Sequence, residues 1–200
     1  MTYIEQELIN FEEDIANCFN KALIKAPVHL YYGNEKQIID VFTNVKSDDW
    51  VFCTWRSHYQ CLLKGVPPEI IKQDILDGKS ITLCYPDYKL YSSAIVGGNI
   101  PVATGVALDI KRKSGSEHVW CFVGDMASET GTFFENWKYS VNHDLPITYI
   151  IENNGKSVCT DTLKTWNCEE LFFAKENRKI IYYEYQNKYP HAGGGKRIQF

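Results

Sequence analysis

The sequence predicts an α/β fold, a three-layer α/β/α arrangement with a mostly parallel sheet and helices on both faces. Three observations carry that expectation. An apolar run, Val119 to Val123, ends in Gly124-Asp125, and a second β-rich run, Ile147 to Ile151, ends in Glu152-Asn153-Asn154-Gly155. Between them Phe133/Phe134, Trp137 and Val141 recur on one helical side until Leu145-Pro146 breaks the pattern, giving strand, helix, strand. The chain has 200 residues, 44% hydrophobic and 14% aromatic, with no internal repeat or linker. That is enough for one domain with a sizeable core, read as spanning 1–200.

The remaining elements follow in order. Ile4, Leu8, Phe11, Ile15, Cys18 and Ala22 fall three or four apart, predicting an amphipathic helix over 3–24, acidic early and basic late, ended by Pro27. His29 stands before a strand-like Leu30-Tyr31-Tyr32. Asp48-Asp49 turns into a buried strand through Val51-Phe52, closing at Thr54-Trp55-Arg56. A Pro-initiated helix runs to Leu76, and another, of small residues, starts near Pro101. Past the central unit, Glu169 to Glu176 reads as a helix and Ile180 to Tyr185 as a strand.

Composition excludes several classes. A net charge of −4 argues against a nucleic-acid or anionic-membrane surface. No apolar run reaches the roughly 18 residues of a membrane span, and the N-terminus lacks a basic signal-peptide start, so a cytoplasmic protein is expected. Seven scattered cysteines with no C-x-x-C pair read as free, mostly buried thiols. The turn after Val123 has no G-x-G-x-x-G, so a dinucleotide site is not expected. His118 and His143, beside element ends, read as solvated.

The central unit suggests chemistry by itself. If its strands are parallel, Asp125 and Asn154 emerge at the same sheet edge, where both oxygens can reach one point. A hard divalent cation wants such ligands and keeps room for waters and phosphates. Main-chain amides at Met126 to Ser128, opening a helix, suit a phosphate. Together these read as a Mg²⁺–diphosphate clamp, beside the alternative of an ordinary βαβ unit with polar strand ends.

The interval from Gly124-Asp125 to Asn153-Asn154 resembles the thiamine diphosphate signature, Gly-Asp-Gly followed about thirty residues later by Asn-Asn, with Met126 at the second glycine. Gly131, Glu135, Leu145-Pro146 and Glu152-Asn153-Asn154 make the stretch most similar to the 2-oxo acid dehydrogenase first-component alpha subunits. Phe11-Glu12-Glu13 resembles the opening R-x-F-E-E of that family, and His29 to Glu35 its H-L-x-x-G-Q-E. Trp55-Arg56-Ser57-His58 stands where the family has Y-R-D-H, and Ser93 to Pro101 matches G-I-V-G-x-x-x-P. Glu184 to Gly193 resembles E-x-x-T-Y-R-Y-H-G-H, with His191 on the first histidine and Gly193 on the second. The Gly-rich loop usual between residues 79 and 93 is shortened.

The resemblance implies a thiamine diphosphate-binding fold with thiamine diphosphate and Mg²⁺ as cofactors. Asp125, Asn154 and the Lys156 carbonyl are then expected to hold the metal. Trp55, Arg56, Gly124, Met126 and Ala127 would meet the diphosphate, and Ile95 and Gly97 the pyrimidine. His29 and His191 are the catalytic candidates facing a 2-oxo acid. The glutamate that such chemistry needs beside the pyrimidine belongs to a second domain in this superfamily. A beta-type or transketolase-type partner subunit is therefore expected, in a homodimer or α₂β₂ assembly, with a lipoyl acyltransferase as a further partner. The outcome would be oxidative acyl transfer, or decarboxylation with carboligation. Two rivals stand beside it: half of a split transketolase acting on sugar phosphates, and a non-catalytic scaffold that keeps the fold.

Overall fold

The computed structural model describes residues 3–192 and 198–200. Its strands are β1 Trp50–Cys53, β2 Cys84–Tyr85, β3 Leu90–Ser92, β4 Val119–Gly124, β5 Ile147–Asn153, the small pair β6 Lys156–Ser157 and β7 Thr160–Asp161, and β8 Ile180–Glu184. Six of them form one sheet in the order β2-β3-β1-β4-β5-β8, parallel throughout except where β2 pairs antiparallel with β3. The chain starts at β1 in the middle, winds outward to β3, then crosses back to β4 and on to β8. The winding direction therefore reverses between β1 and β4.

Alternation along the strands sorts the sheet into two faces. Trp120, Phe122 and Ile150 point to one face, which is covered by α1 Glu5–Asn20, α2 Glu35–Phe42, α3 His58–Leu63 and α4 Pro68–Leu76. Val119, Cys121, Val123, Tyr149 and Ile151 point to the other. There α5 Asn99–Arg112 and α7 Gly131–Asn142 pack, with the short α6 Asp125–Ser128 leading into α7. This is the three-layer arrangement expected. Two apolar clusters, one on each side of the sheet, hold it together.

Several elements differ from expectation. α1 stops at Asn20, because Ala22 takes a left-handed backbone (φ 59°). His29 to Tyr32 joins no sheet and is held by side chains instead: Glu12 Oε1 accepts from the Tyr31 amide at 2.9 Å and Asn187 Nδ2 donates to the Leu30 carbonyl at 3.1 Å. α2 was not anticipated, although Ile38 and Val41 repeat at helical spacing and are buried. Phe133 is buried but Phe134 is 41% exposed, on the flank of α7 rather than its core side. The helix expected over Glu169 to Glu176 is only a 3₁₀ turn, Phe172–Lys175. A true helix lies upstream instead, α8 Thr162–Trp166, where Asp161 caps the Lys164 amide. Of the seven thiols, Cys84 and Cys159 are exposed and Cys168 intermediate. His118 is half-buried, its Nε2 2.9 Å from Thr148 Oγ1, and burial pushes its pKa down, so it is not the solvated group expected.

Gly33 makes one close approach. Its φ is +95°, and a methyl group there would overlap the Gln186 carbonyl oxygen, so two backbones meet directly.

Candidate functional site

The reversal of winding places a crevice outside the carboxyl ends of β1 and β4, where open α/β sheets bind ligands. A cleft enclosing about 630 Å³, its open mouth included, lies there. β1 delivers Thr54, Trp55 and Arg56 to its wall. The turn before α5 delivers Ile95, Val96 and Gly97, and β4 with α6 delivers Gly124, Asp125, Met126 and Ala127. β5 and the β6–β7 pair bring Glu152, Asn154, Lys156, Ser157 and Val158, and the exit from β8 brings Tyr185 and His191. Gly124 lies opposite Glu152 in the ladder, so Asp125 and Asn154 emerge past the same edge.

Asp125 is buried (2% exposed) and its Oδ2 accepts the Thr162 hydroxyl at 2.5 Å. Burial pushes its pKa up, against the Thr162 hydroxyl, the Met126 amide and the Arg56 charge. Asn154 Oδ1 accepts the Lys156 amide at 3.0 Å and Nδ2 reaches the Tyr185 hydroxyl at 3.4 Å. Both candidate metal oxygens are thus held in place by the fold, and each keeps lone pairs for a cation. No group of three or more His, Cys, Asp or Glu side chains able to hold a metal occurs among the described residues. A cation here would take one carboxylate, one amide oxygen, a main-chain carbonyl and outer oxygens, a donor set that suits Mg²⁺ carrying a phosphate.

The cleft also fits a phosphate. A Cβ on Gly124 would meet nothing within 4 Å, so the space above that backbone is open although its φ of −73° demands no glycine. Trp55 Nε1 is buried with no hydrogen-bond partner. Arg56 anchors its Nε on the Leu30 carbonyl at 3.1 Å and lies 5.8 Å from the Tyr31 ring centre, with its charge beside the cleft. The helix expected to present amides at Met126 to Ser128 is only four residues long, and the Met126 amide turns to the Asp125 carboxylate. Any dipole contribution there is smaller than a full helix would give.

The two histidines meet but do not share the cleft wall. His191 lines it, while His29 lies behind, stacked on His191 with ring centres 4.2 Å apart and planes 18° apart. His29 Nδ1 is buried without a partner. Burial, then His191 and Arg56, push its pKa down to about 3, leaving a neutral imidazole. Gly193, aligned with the second family histidine, lies outside the described residues.

Glu152 received no role from the sequence. It lines the floor of the cleft, and its buried carboxylate accepts the Tyr31 hydroxyl at 2.7 Å, the Tyr183 hydroxyl at 2.5 Å and Asn34 Nδ2 at 3.2 Å. Burial still lifts its pKa to about 7. A carboxylate ending a buried strand was the available signal. Thr162, the partner of Asp125, had none.

Comparison with known proteins agrees with this architecture. Residues 4–180 match the family described as "Dehydrogenase E1 component". The alpha subunit of acetoin:2,6-dichlorophenolindophenol oxidoreductase from Bacillus subtilis is 30% identical over 176 residues, 82% of this chain and 53% of that one. Its counterpart in Cupriavidus necator is 30% identical over 161 residues, covering 76% and 48%. The pyruvate dehydrogenase E1 component subunit alpha of Porphyra purpurea is 32% identical over 162 residues, covering 72% and 47%. The chain spans about half the length of these relatives. With a match running from residue 4 to residue 180, the chain belongs to the dehydrogenase E1 component family.

Proposed function

We propose that residues 1–200 form the diphosphate-binding unit of the alpha subunit of a thiamine diphosphate- and Mg²⁺-dependent enzyme acting on a 2-oxo acid in the cytoplasm. One observation carries the reading. Residues chosen from motifs scattered between Trp55 and His191 line a single cleft at the point where the sheet reverses its winding.

In this reading Asp125, Asn154 and the Lys156 carbonyl hold Mg²⁺. Arg56 and the Trp55 N–H bind the diphosphate, and the space over Gly124 admits it. Ile95 and Gly97 meet the pyrimidine. Bound thiamine diphosphate supplies a nucleophilic carbon and an electron sink for decarboxylation. The chain's own part is to hold that group, keep its charge neutralised, and present His191 to the substrate. His29, neutral and stacked behind, fixes the plane of His191 and so acts as a positioning residue.

Ile95 and Val96, 74% and 54% exposed at the cleft mouth, suit a covering chain. A beta-type or transketolase-type subunit carrying the pyrimidine-side acid would sit there in a homodimer or α₂β₂ assembly, with transfer to a lipoyl acyltransferase or direct carboligation following.

Calorimetric titration of thiamine diphosphate with and without Mg²⁺, into the chain alone and mixed with a pyrimidine-binding partner, tests this. Mg²⁺-dependent binding that the partner strengthens and Asp125→Ala removes is expected. Binding indifferent to Mg²⁺ and to Asp125, or none at all, would leave only a scaffold.

A further inference from the structure

A second, wider cavity opens off the cleft past Arg56, Asn154, Lys156 and His191, enclosing about 1400 Å³ counted to its mouth. Its far wall is the segment Gln186 to Pro190. The charged side chains on its described lining are Arg56, Lys156 and Lys188, and no Asp or Glu joins them. The whole chain has net charge −4, so one sign is concentrated here against the overall balance. Among the described residues every ion pair uses other cations, and none of these three has a carboxylate oxygen within 4 Å, although Arg56 acts at longer range on Asp125 and Glu152 of the inner cleft.

Lys188 is also positioned. Its ammonium lies 4.5 Å from the Tyr32 ring centre and 5.7 Å from that of Tyr189, two rings set edge to face. Aromatic faces hold a cation without neutralising it. Asn187 fixes the backbone beneath, donating to the Leu30 carbonyl and accepting from the Tyr189 amide at 3.4 Å. Arg56 and Lys156 belong to both cavities, but Lys188 lines only the outer one. After a diphosphate and its metal have engaged the inner cleft, a positive charge is left over in the outer.

We infer that the outer cavity takes the distal anionic group of a substrate charged at both ends, a carboxylate or a phosphate ester, and that Lys188 is the residue selecting it. This rests on the reading of the inner cleft as the site of a 2-oxo acid reaction. The reacting end lies beside His191 and the remote charge beside Lys188, on the wall that continues directly from Pro190-His191.

The test measures binding of three probes to the full chain, with and without thiamine diphosphate and Mg²⁺. 2-Oxobutyrate carries one charge, 2-oxoglutarate a distal carboxylate, and 3-phosphohydroxypyruvate a distal phosphate. At least one of the two probes with a distal anion is expected to bind about tenfold tighter than 2-oxobutyrate, an advantage that shrinks as salt is added. The better of the two identifies the distal group. Lys188→Met, which keeps length and removes charge, erases most of the advantage without weakening 2-oxobutyrate, and Lys188→Arg restores it. Equal affinities for all three probes, or a Lys188→Met loss shared equally among them, overturns the inference. An intact advantage in a chain that ignores thiamine diphosphate would remove the cofactor reading and keep this cavity. Cofactor binding without the advantage would do the reverse.

Discussion

The two faces of the sheet are built from different materials. Apart from Asp125 at the cleft edge, the face under α5 and α7 is nearly dry: its buried polar groups are hydroxyls and one amide, with Thr104, Ser140 and Tyr149 satisfying one another and Asn99 bonding the Phe122 carbonyl. The face under α1 to α4 buries four carboxylates, Glu12, Glu35 and Glu152 towards the cleft and Asp49 under Trp120 at the other end of the strands, together with His58, Gln60 and Asn34. Glu12 joins His58 at 2.8 Å, and His58 joins Ser80 at 2.9 Å, all fully enclosed. Such groups stabilise a fold less than apolar ones would, but they fix direction. What they fix is the segment His29 to Glu35 behind the cleft. One face supplies stability and the other supplies aim.

That division can be broken from either side. Glu12→Ala strands His58 and the Tyr31 amide together, so a loss of about 3–5 kcal/mol in urea unfolding is expected. Because Tyr31 adjoins the His29 segment, cofactor affinity should fall in the same variant. Phe133→Ala removes a ring packed edge-on against Tyr149 and Phe173 at 5.2 and 4.8 Å. A loss of about 3–4 kcal/mol is expected, with cofactor affinity unchanged in calorimetry below the melting transition. Equal cofactor losses in the two variants would dissolve the distinction.

Smaller effects sharpen it. The Glu152 carboxyl, raised by burial from its ordinary 4.5 to about 7, binds more protons folded than unfolded between those values. Stability therefore falls as pH rises through that window, by about 3 kcal/mol in all. Glu152→Gln should flatten the slope, read as the difference between the two proteins in urea melts at pH 4.5, 6 and 7.5. His29, held down near pKa 3 by burial, contributes the opposite slope below pH 6.5, and taking the difference cancels it. On the dry face Tyr149→Phe deletes a hydroxyl 2.9 Å from both Thr104 and Ser140. About 1 kcal/mol should be lost, with no pH dependence and no change in cofactor affinity.

The dry face was also the more legible one. β4, α7 and β5 announce themselves by apolar runs and helical spacing, signals confined to a few neighbouring residues. Asp125 and Asn154 could be placed at one edge because parallel strands force it. Phe133 and Phe134 could not be told apart, since adjacent residues differ by a third of a turn and periodicity resolves no finer. In place of the helix expected at Glu169 to Glu176 stands the 3₁₀ turn Phe172–Lys175, with Phe172 64% exposed and Phe173 buried on Phe133 and Trp137. On the wet face the controlling bonds span long intervals: Tyr31 to Glu152, Glu12 to His58, Leu30 to Asn187. No local pattern reports such pairings. The rank of His29 behind His191 is of the same kind, because it depends on where the chain returns after β8.

The joint at Gly33 has an evolutionary consequence. Most spacings in a protein can be tuned by exchanging side chains, a methylene at a time. Where Gly33 meets the Gln186 carbonyl there is nothing to trim, and any side chain would drive the two strands of backbone apart. The segment bearing His29 and the one bearing His191 are thus joined by a hinge pin of fixed gauge. Drift can break that joint in one step, but it has no graded path along which to adjust it.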